Sequence, residues 1–188
     1  MLSSGRFGHW FSRLRTGRAR RFARDERGAT AVELAILAVP FFVLVWAIME
    51  TALVFLATQI LDGAVQDSAR LIRTGQAQTA GYTIDNFRTA ICSRLYGLFN
   101  CNNLKISVKT VTSFTSASAP PSPLDPTDPS KWVLTPAYDD GQGSSVIMVQ
   151  VYYKWPLGIS FGGFSLASSS DGTMLMGAVR VFKNEPFT

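Results

Sequence analysis

The sequence predicts an α+β protein: a long N-terminal membrane helix with an amphipathic extension, then one helix packed on an antiparallel sheet of three or more strands. Three observations carry that expectation. Residues 34–49 read LAILAVPFFVLVWAIM, sixteen positions without a charge. Residues 58–74 keep apolar side chains at helical spacing with charges between them. Residues 146–155 (VIMVQVYYKW) and 173–182 (TMLMGAVRVF) have the Val, Ile, Met and aromatic density of strands. The 188-residue length suits one ordinary domain plus an extra segment, and the 47% hydrophobic content excludes a disordered chain.

The elements follow in order. Residues 1–28 form a basic leader in which Arg6, Arg13, Arg15, Arg18, Arg20, Arg21, Arg24 and Arg27 oppose only Asp25 and Glu26, a balance of +6. The rest of the chain carries −1, so the overall charge of +5 belongs to one end and does not describe a basic groove across a folded domain. Residues 29–57 are the membrane helix. At about 1.5 Å per residue they reach roughly 43 Å, enough for a hydrocarbon core of about 30 Å. The stretch is too long for the apolar region of an ordinary secretory signal, and no A-x-A cleavage site follows it. Arginines before the helix, and nearly balanced charge after it, keep the N-terminus in the cytoplasm and send the remainder across the membrane, into the periplasm if the host is bacterial.

Beyond the membrane, residues 58–75 extend the helix and end at Gly75, a residue suited to a helix C-terminus. A second helix is expected over 84–99, with Thr83 as its cap and Ile84, Phe87, Ile91, Leu95 and Leu98 as one apolar stripe. Leu104, Ile106 and Val108 alternate with Lys105, Ser107 and Lys109, the pattern of a half-buried strand. Residues 115–143 hold Pro120, Pro121, Pro123, Pro126, Pro129 and Pro136 and read as a long loop anchored at 132–134. The periplasmic α+β domain is therefore expected to span 76–188, with a Gly/Ser-rich connection at 158–172 between the last two strands.

Little in the sequence points to catalysis. The lone histidine, His9, lies in the leader, which excludes a Ser-His-Asp or Cys-His arrangement in the exported part. No phosphate-cradling glycine motif occurs. Asp139 and Asp140 beside Gly141 read as a solvated turn rather than a metal loop. Cys92 and Cys101 lack C-x-x-C spacing and have no histidines to complete a zinc site, so a structural disulfide in an oxidising compartment is the better reading. No enzyme, cofactor, metal or small-molecule substrate is expected.

Glu33 is the discordant residue. A carboxylate inside a membrane helix costs about 2.5–3.5 kcal/mol at the bilayer centre and less near the headgroups. Either Glu33 sits at the cytoplasmic interface or a cation satisfies it. Glu50, seventeen residues on, is expected at the opposite interface. Pro40 removes one backbone donor and predicts a kink at 36–40.

Gly28-Ala29-Thr30-Ala31-Val32-Glu33, behind an Arg-rich leader and ahead of an apolar helix, resembles the processing site of type IV prepilin-like proteins. The wider segment, 26–35 with Pro40, resembles the TadE family, the pseudopilins or minor pilins of the tight-adherence (Tad/Flp) pilus system. The likeness is closest over 26–76, where Ala69-Arg70 and Arg73-Thr74-Gly75-Gln76 take part. It extends more loosely to the cysteine pair, to Val151-Tyr152-Tyr153-Lys154-Trp155-Pro156 and to Phe182-Lys183-Asn184-Glu185-Pro186-Phe187. The resemblance implies cleavage between Gly28 and Ala29 by a membrane-embedded prepilin peptidase. It also implies an assembly role for Glu33, whose carboxylate would meet the new amino group of Ala29 within one subunit or on a neighbour. Implied partners are the inner membrane, that peptidase, other pilins or pseudopilins and the Tad assembly proteins. Ala29 stands where ordinary type IV pilins have an aromatic first residue, and Leu34 where Tad prepilins often carry one.

Two other classes stand beside that reading. One is an uncleaved membrane-anchored periplasmic binding module using exposed aromatics around Trp132 and Tyr138. The other is a nucleic-acid binder using the leader, where Phe7, Trp10, Phe11 and Phe22 interleave with arginine. A topology signal lying on anionic lipid is preferred to the latter, so no nucleic-acid partner is expected. A sister TadF-type pseudopilin remains open.

Overall fold

The computed structural model describes residues 26–117, 120–158 and 167–187; the side chains of residues 26, 27 and 29 are not among those described. The chain divides into two compact units, Met1–Ile48 and Met49–Thr188. A single helix, α1 (Glu26–Arg73), runs through the boundary, with Pro40 inside it. In the first unit its side chains are exposed on almost every side, from Val32 through Ile48. A helix that is apolar all round has no aqueous face, in contrast to the one-sided stripe of a soluble protein.

The second unit begins where that changes. Val54, Ala57, Leu61, Ala64, Val65, Ala69 and Ile72 recur at three- and four-residue intervals and are all buried. They form a core with α3 (Ile84–Cys92) and one face of a four-stranded sheet. After Arg73 the chain turns through Gly75, whose φ of +78° only glycine adopts without strain, into the short α2 (Gln76–Thr79). Thr83 then caps α3 through a capping box with Asn86, as its position predicts.

Strands β1 (Lys105–Val111), β2 (Ala137–Tyr138), β3 (Val146–Pro156) and β4 (Thr173–Lys183) lie in the order β2-β1-β3-β4. The register pairs Val108 with Val149 and Val149 with Arg180, so Ile106, Val108, Ile147, Val149, Val151, Tyr153, Met176 and Ala178 share the core face. The long strands match expectation within a residue or two. The fold is α+β, but the sheet is mixed rather than purely antiparallel. β2 arises inside the expected Pro-rich loop and pairs parallel to β1, with Ser107 opposite Ala137 and Val108 opposite Tyr138.

The expected helix over 84–99 stops at Cys92. Tyr96 and Gly97 adopt positive φ, of 51° and 74°, which ends helical continuation. The reversal brings Cys101 back to Cys92, 6.0 Å away between Cα atoms, and the two form a disulfide. Leu95 and Phe99 still reach the core, whereas Leu98, expected in the buried stripe, is exposed. Phe99 packs edge-on against Tyr153 at 5.0 Å and Trp155 at 5.4 Å.

The Pro-rich segment is an ordered strap on the opposite face of the sheet. Leu124 bridges Trp132, and Asp125 and Asp128 close side-chain turns onto Thr127 and Ser130. Lys154 fixes the strap: its Nζ donates to the carbonyls of Pro129 (3.2 Å) and Ser130 (2.7 Å) and to Asp171 (2.8 Å). Trp132 lies under Lys154 and Lys105, 5.4 and 5.9 Å from the two ammonium groups. It is thus the anchor that the sequence led one to expect. Residues 159–166 of the Gly/Ser-rich connection lie outside the described residues.

Candidate functional site

The residues singled out for function gather at the start of α1. Gly28, Ala29 and Glu33 all fall inside the helix. A Cβ added at Gly28 would meet nothing within 4 Å, so packing does not require glycine there. Glycine costs a helix interior about 0.5–1 kcal/mol relative to alanine, a cost for which this fold shows no return. Glu33 is exposed, and it enters no ion pair among the described residues. Around it the exposed apolar side chains run from Val32 to Leu56 and include Phe41, Phe42, Trp46 and Phe55. Over Thr30–Arg73 the helix is long and apolar enough to cross a membrane. The Ala29 side chain, His9 and residues 1–25 of the arginine-rich leader lie outside the described set.

Glu50 acquires a partner that sequence reasoning did not find. Its Oε1 accepts the backbone N–H of Gly158, just past the end of β3. Asp62 on α1 pairs with Arg180 of β4, and Arg73 at the helix end pairs with Glu185 at 3.3 Å. These contacts follow α1 outward from Glu50 to Arg73 while β4 runs from its first residue to the C-terminal tail, so helix and strand run in the same sense. Nothing in the local pattern of Glu50 or Asp62 marks them as partners of residues more than a hundred positions away.

The C-terminal tail is the second junction. The amide of Asn184 donates to the carbonyls of Asp140 and Gln142, both at 3.0 Å, and its backbone N–H to Ser145 at 2.8 Å. The Glu185 N–H donates to the Arg73 carbonyl at 2.9 Å, satisfying an acceptor at the end of α1. Phe187 lies against Gly75 and Gly143 so closely that a Cβ at Gly143 would stand 2.5 Å from its carbonyl oxygen.

Electrostatics mark no catalytic centre. Asp171 is held down to about 2 by its hydrogen bonds from Lys154 and Thr173. Burial pushes the Asp140 carboxyl and the Tyr138 phenol up, Tyr138 further through the neighbouring Asp140. Tyr138 is half-buried 5.8 Å from Phe87, and Trp132 is covered by two lysines. Neither is the freely exposed aromatic that a binding module around them calls for: the parallel β2 pairing turns Tyr138 into the core, and the strap lays Trp132 on the sheet. Asp139 accepts the N–H groups of Thr110 and Gly141, closing a turn. Among the described residues no group of three or more His, Cys, Asp or Glu side chains stands ready to hold a metal ion.

Comparison with known proteins bears on α1. Residues 28–70 match the family model described as TadE-like protein. No curated protein and no solved structure matches the chain. The TadE-like segment begins at Gly28, takes in Glu33 and the exposed apolar stretch, and ends at Arg70, so it also includes the buried positions from Val54 to Ala69. The family match and the apolar helix together support anchoring in a membrane.

Proposed function

We propose that the chain is a TadE-like minor pilin, or pseudopilin, that a prepilin peptidase cleaves after Gly28 and that acts in assembly of a Tad/Flp-type adhesion pilus. One observation carries the reading. The TadE-like match starts at Gly28, a glycine without a packing reason, five residues before an exposed carboxylate on a stretch that is otherwise uncharged from Gly28 to Met49. A carboxylate in such surroundings gains from a cation in low dielectric, and the amino group that cleavage creates at Ala29 supplies one. Loss of the arginine-rich leader removes the charges that hold the N-terminus on the cytoplasmic side, freeing the helix to leave the bilayer for a bundle with other pilin subunits. The independently cored Met49–Thr188 unit then faces the periplasm and, in a fibre, the outside.

Genetic replacement tests the role. A host strain lacking this chain loses surface fibres and adherence, and the wild-type chain restores both. Glu33→Ala loses its leader normally yet restores neither. A null strain with fibres and adherence at wild-type level refutes the assembly role.

A further inference from the structure

In the second unit, exposed apolar side chains of α1 lie at the level where the chain past β3 meets the helix. Glu50 touches Gly158, whereas the first position of α1 buried against the core is Val54, four residues or about 6 Å further along the helix. Met49, Leu53, Phe55 and Leu56 around that level are exposed. The chain just past β3 therefore meets α1 at Glu50, ahead of the first buried position rather than beyond it. Its residues suit such a position. Trp155 and Leu157 are half-buried against the edge of the core, Trp155 beside Phe99 and Tyr153, and Pro156 is exposed.

We propose that the sheet end formed by residues 155–158 rests in the headgroup layer of the same membrane that α1 crosses, with phospholipid as its partner. The inference rests on the reading of α1 as a membrane helix. The level of the bilayer surface follows from two opposed costs. Were the hydrocarbon boundary well before Met49, the apolar side chains at 49, 53, 55 and 56 would face water. Were it well beyond Leu56, the Glu50 carboxylate and the backbone end of a sheet would lie in hydrocarbon, where unpaired polar groups cost several kcal/mol. A boundary near residues 50–56 meets both, and it places Trp155 where an amphipathic indole is most favourable. Glu50 then serves as an interfacial carboxylate that satisfies the Gly158 N–H just past the strand ladder.

Depth-dependent quenching tests this with the full chain in phosphatidylcholine vesicles. One variant retains only Trp155 (Trp10→Phe, Trp46→Phe, Trp132→Phe) and one only Trp46 (Trp10→Phe, Trp132→Phe, Trp155→Phe). Lipids brominated near the headgroup and deep in the acyl chain are the quenchers. The proposal predicts that Trp155 emission falls with the shallow label more than with the deep one, while Trp46 responds chiefly to the deep label. Quenching of Trp46 with none of Trp155 overturns the proposal and leaves the membrane helix standing; protein, not lipid, then covers the sheet end. No quenching of either overturns both. A pair differing only at Trp155, Trp10→Phe against Trp10→Phe with Trp155→Phe, checks against misfolding of the multiple variants. The second must lose most of the shallow-label response of the first.

Discussion

The latch made by residues 184–187 gives the sharpest stability prediction. Gly143 faces the backbone of Phe187, and a Cβ there would lie 2.5 Å from its carbonyl oxygen and 2.9 Å from its nitrogen. Backbone atoms cannot rotate aside as a side chain can, so Gly143→Ala must move the tail. Overpacking of this kind costs about 1–3 kcal/mol. The tail's own contribution sets a ceiling, because the protein can release residues 184–187 rather than bear the strain. The hydrogen bonds then surrendered, from Asn184 to Asp140, Gln142 and Ser145 and from Glu185 to Arg73, contribute about 0.5–1.5 kcal/mol each before the freed backbone recovers entropy. A net loss of about 2 kcal/mol is expected, or roughly 4–8 °C in melting temperature for a chain of this size. Thermal unfolding of the detergent-solubilised chain, followed by near-UV circular dichroism, reads it. A chain ending at Lys183 should melt lower than wild type, and adding Gly143→Ala to it should change little, because the colliding group is gone. An unchanged melting temperature for Gly143→Ala, or full additivity with the truncation, refutes the latch.

Three further outcomes are expected. Reduction of Cys92–Cys101, or their joint replacement by serine, should cost about 2–3 kcal/mol in the chain-entropy view of so short a loop, read as a lower melting temperature under reducing conditions. Lys154→Met should free the strap, raising protease cleavage between Asp125 and Lys131. Because Asp171 titrates lower folded than unfolded, its stabilising effect is complete above the ordinary carboxylate range and fades as pH falls towards about 2; the wild-type strap should therefore become more protease-sensitive over that acid range, and the Met variant should show a smaller change, the part that belongs to Asp125 and Asp128 within the strap. Ser68 is fully buried with an Oγ that has no partner among the described residues, so Ser68→Ala should stabilise the second unit by about 1 kcal/mol in the same melting assay.

What could be read from the sequence was governed by periodicity. The apolar run at 34–49, the buried face from Leu61 to Ile72 and the strands around Val149 and Ala178 each repeat a local pattern that burial enforces; Val54 and Ala57, expected in the membrane helix, join that buried face instead. Thr83 was legible as a cap because capping is a three-residue affair. The early end of α3 was not, since Leu95 and Leu98 continue a helical stripe and only the left-handed Tyr96-Gly97 pair breaks it. β2 escaped notice because two residues carry no period, and its parallel pairing depends on where the strap begins and ends. Gly28 and Glu33 stand out by their sequence context alone, and the fold gives neither a packing role. Glu50, Lys154 and Asn184 owe their importance to partners such as Gly158, Ser130 and Gln142, and only tertiary structure brings those together.

Intact mass of the protein purified from its native membrane, with and without the host's prepilin peptidase, tests the central claim most directly. The account predicts a chain starting at Ala29 when the peptidase is present and an uncut leader when it is absent. A leader retained in both strains would contradict it and leave a permanently anchored periplasmic module.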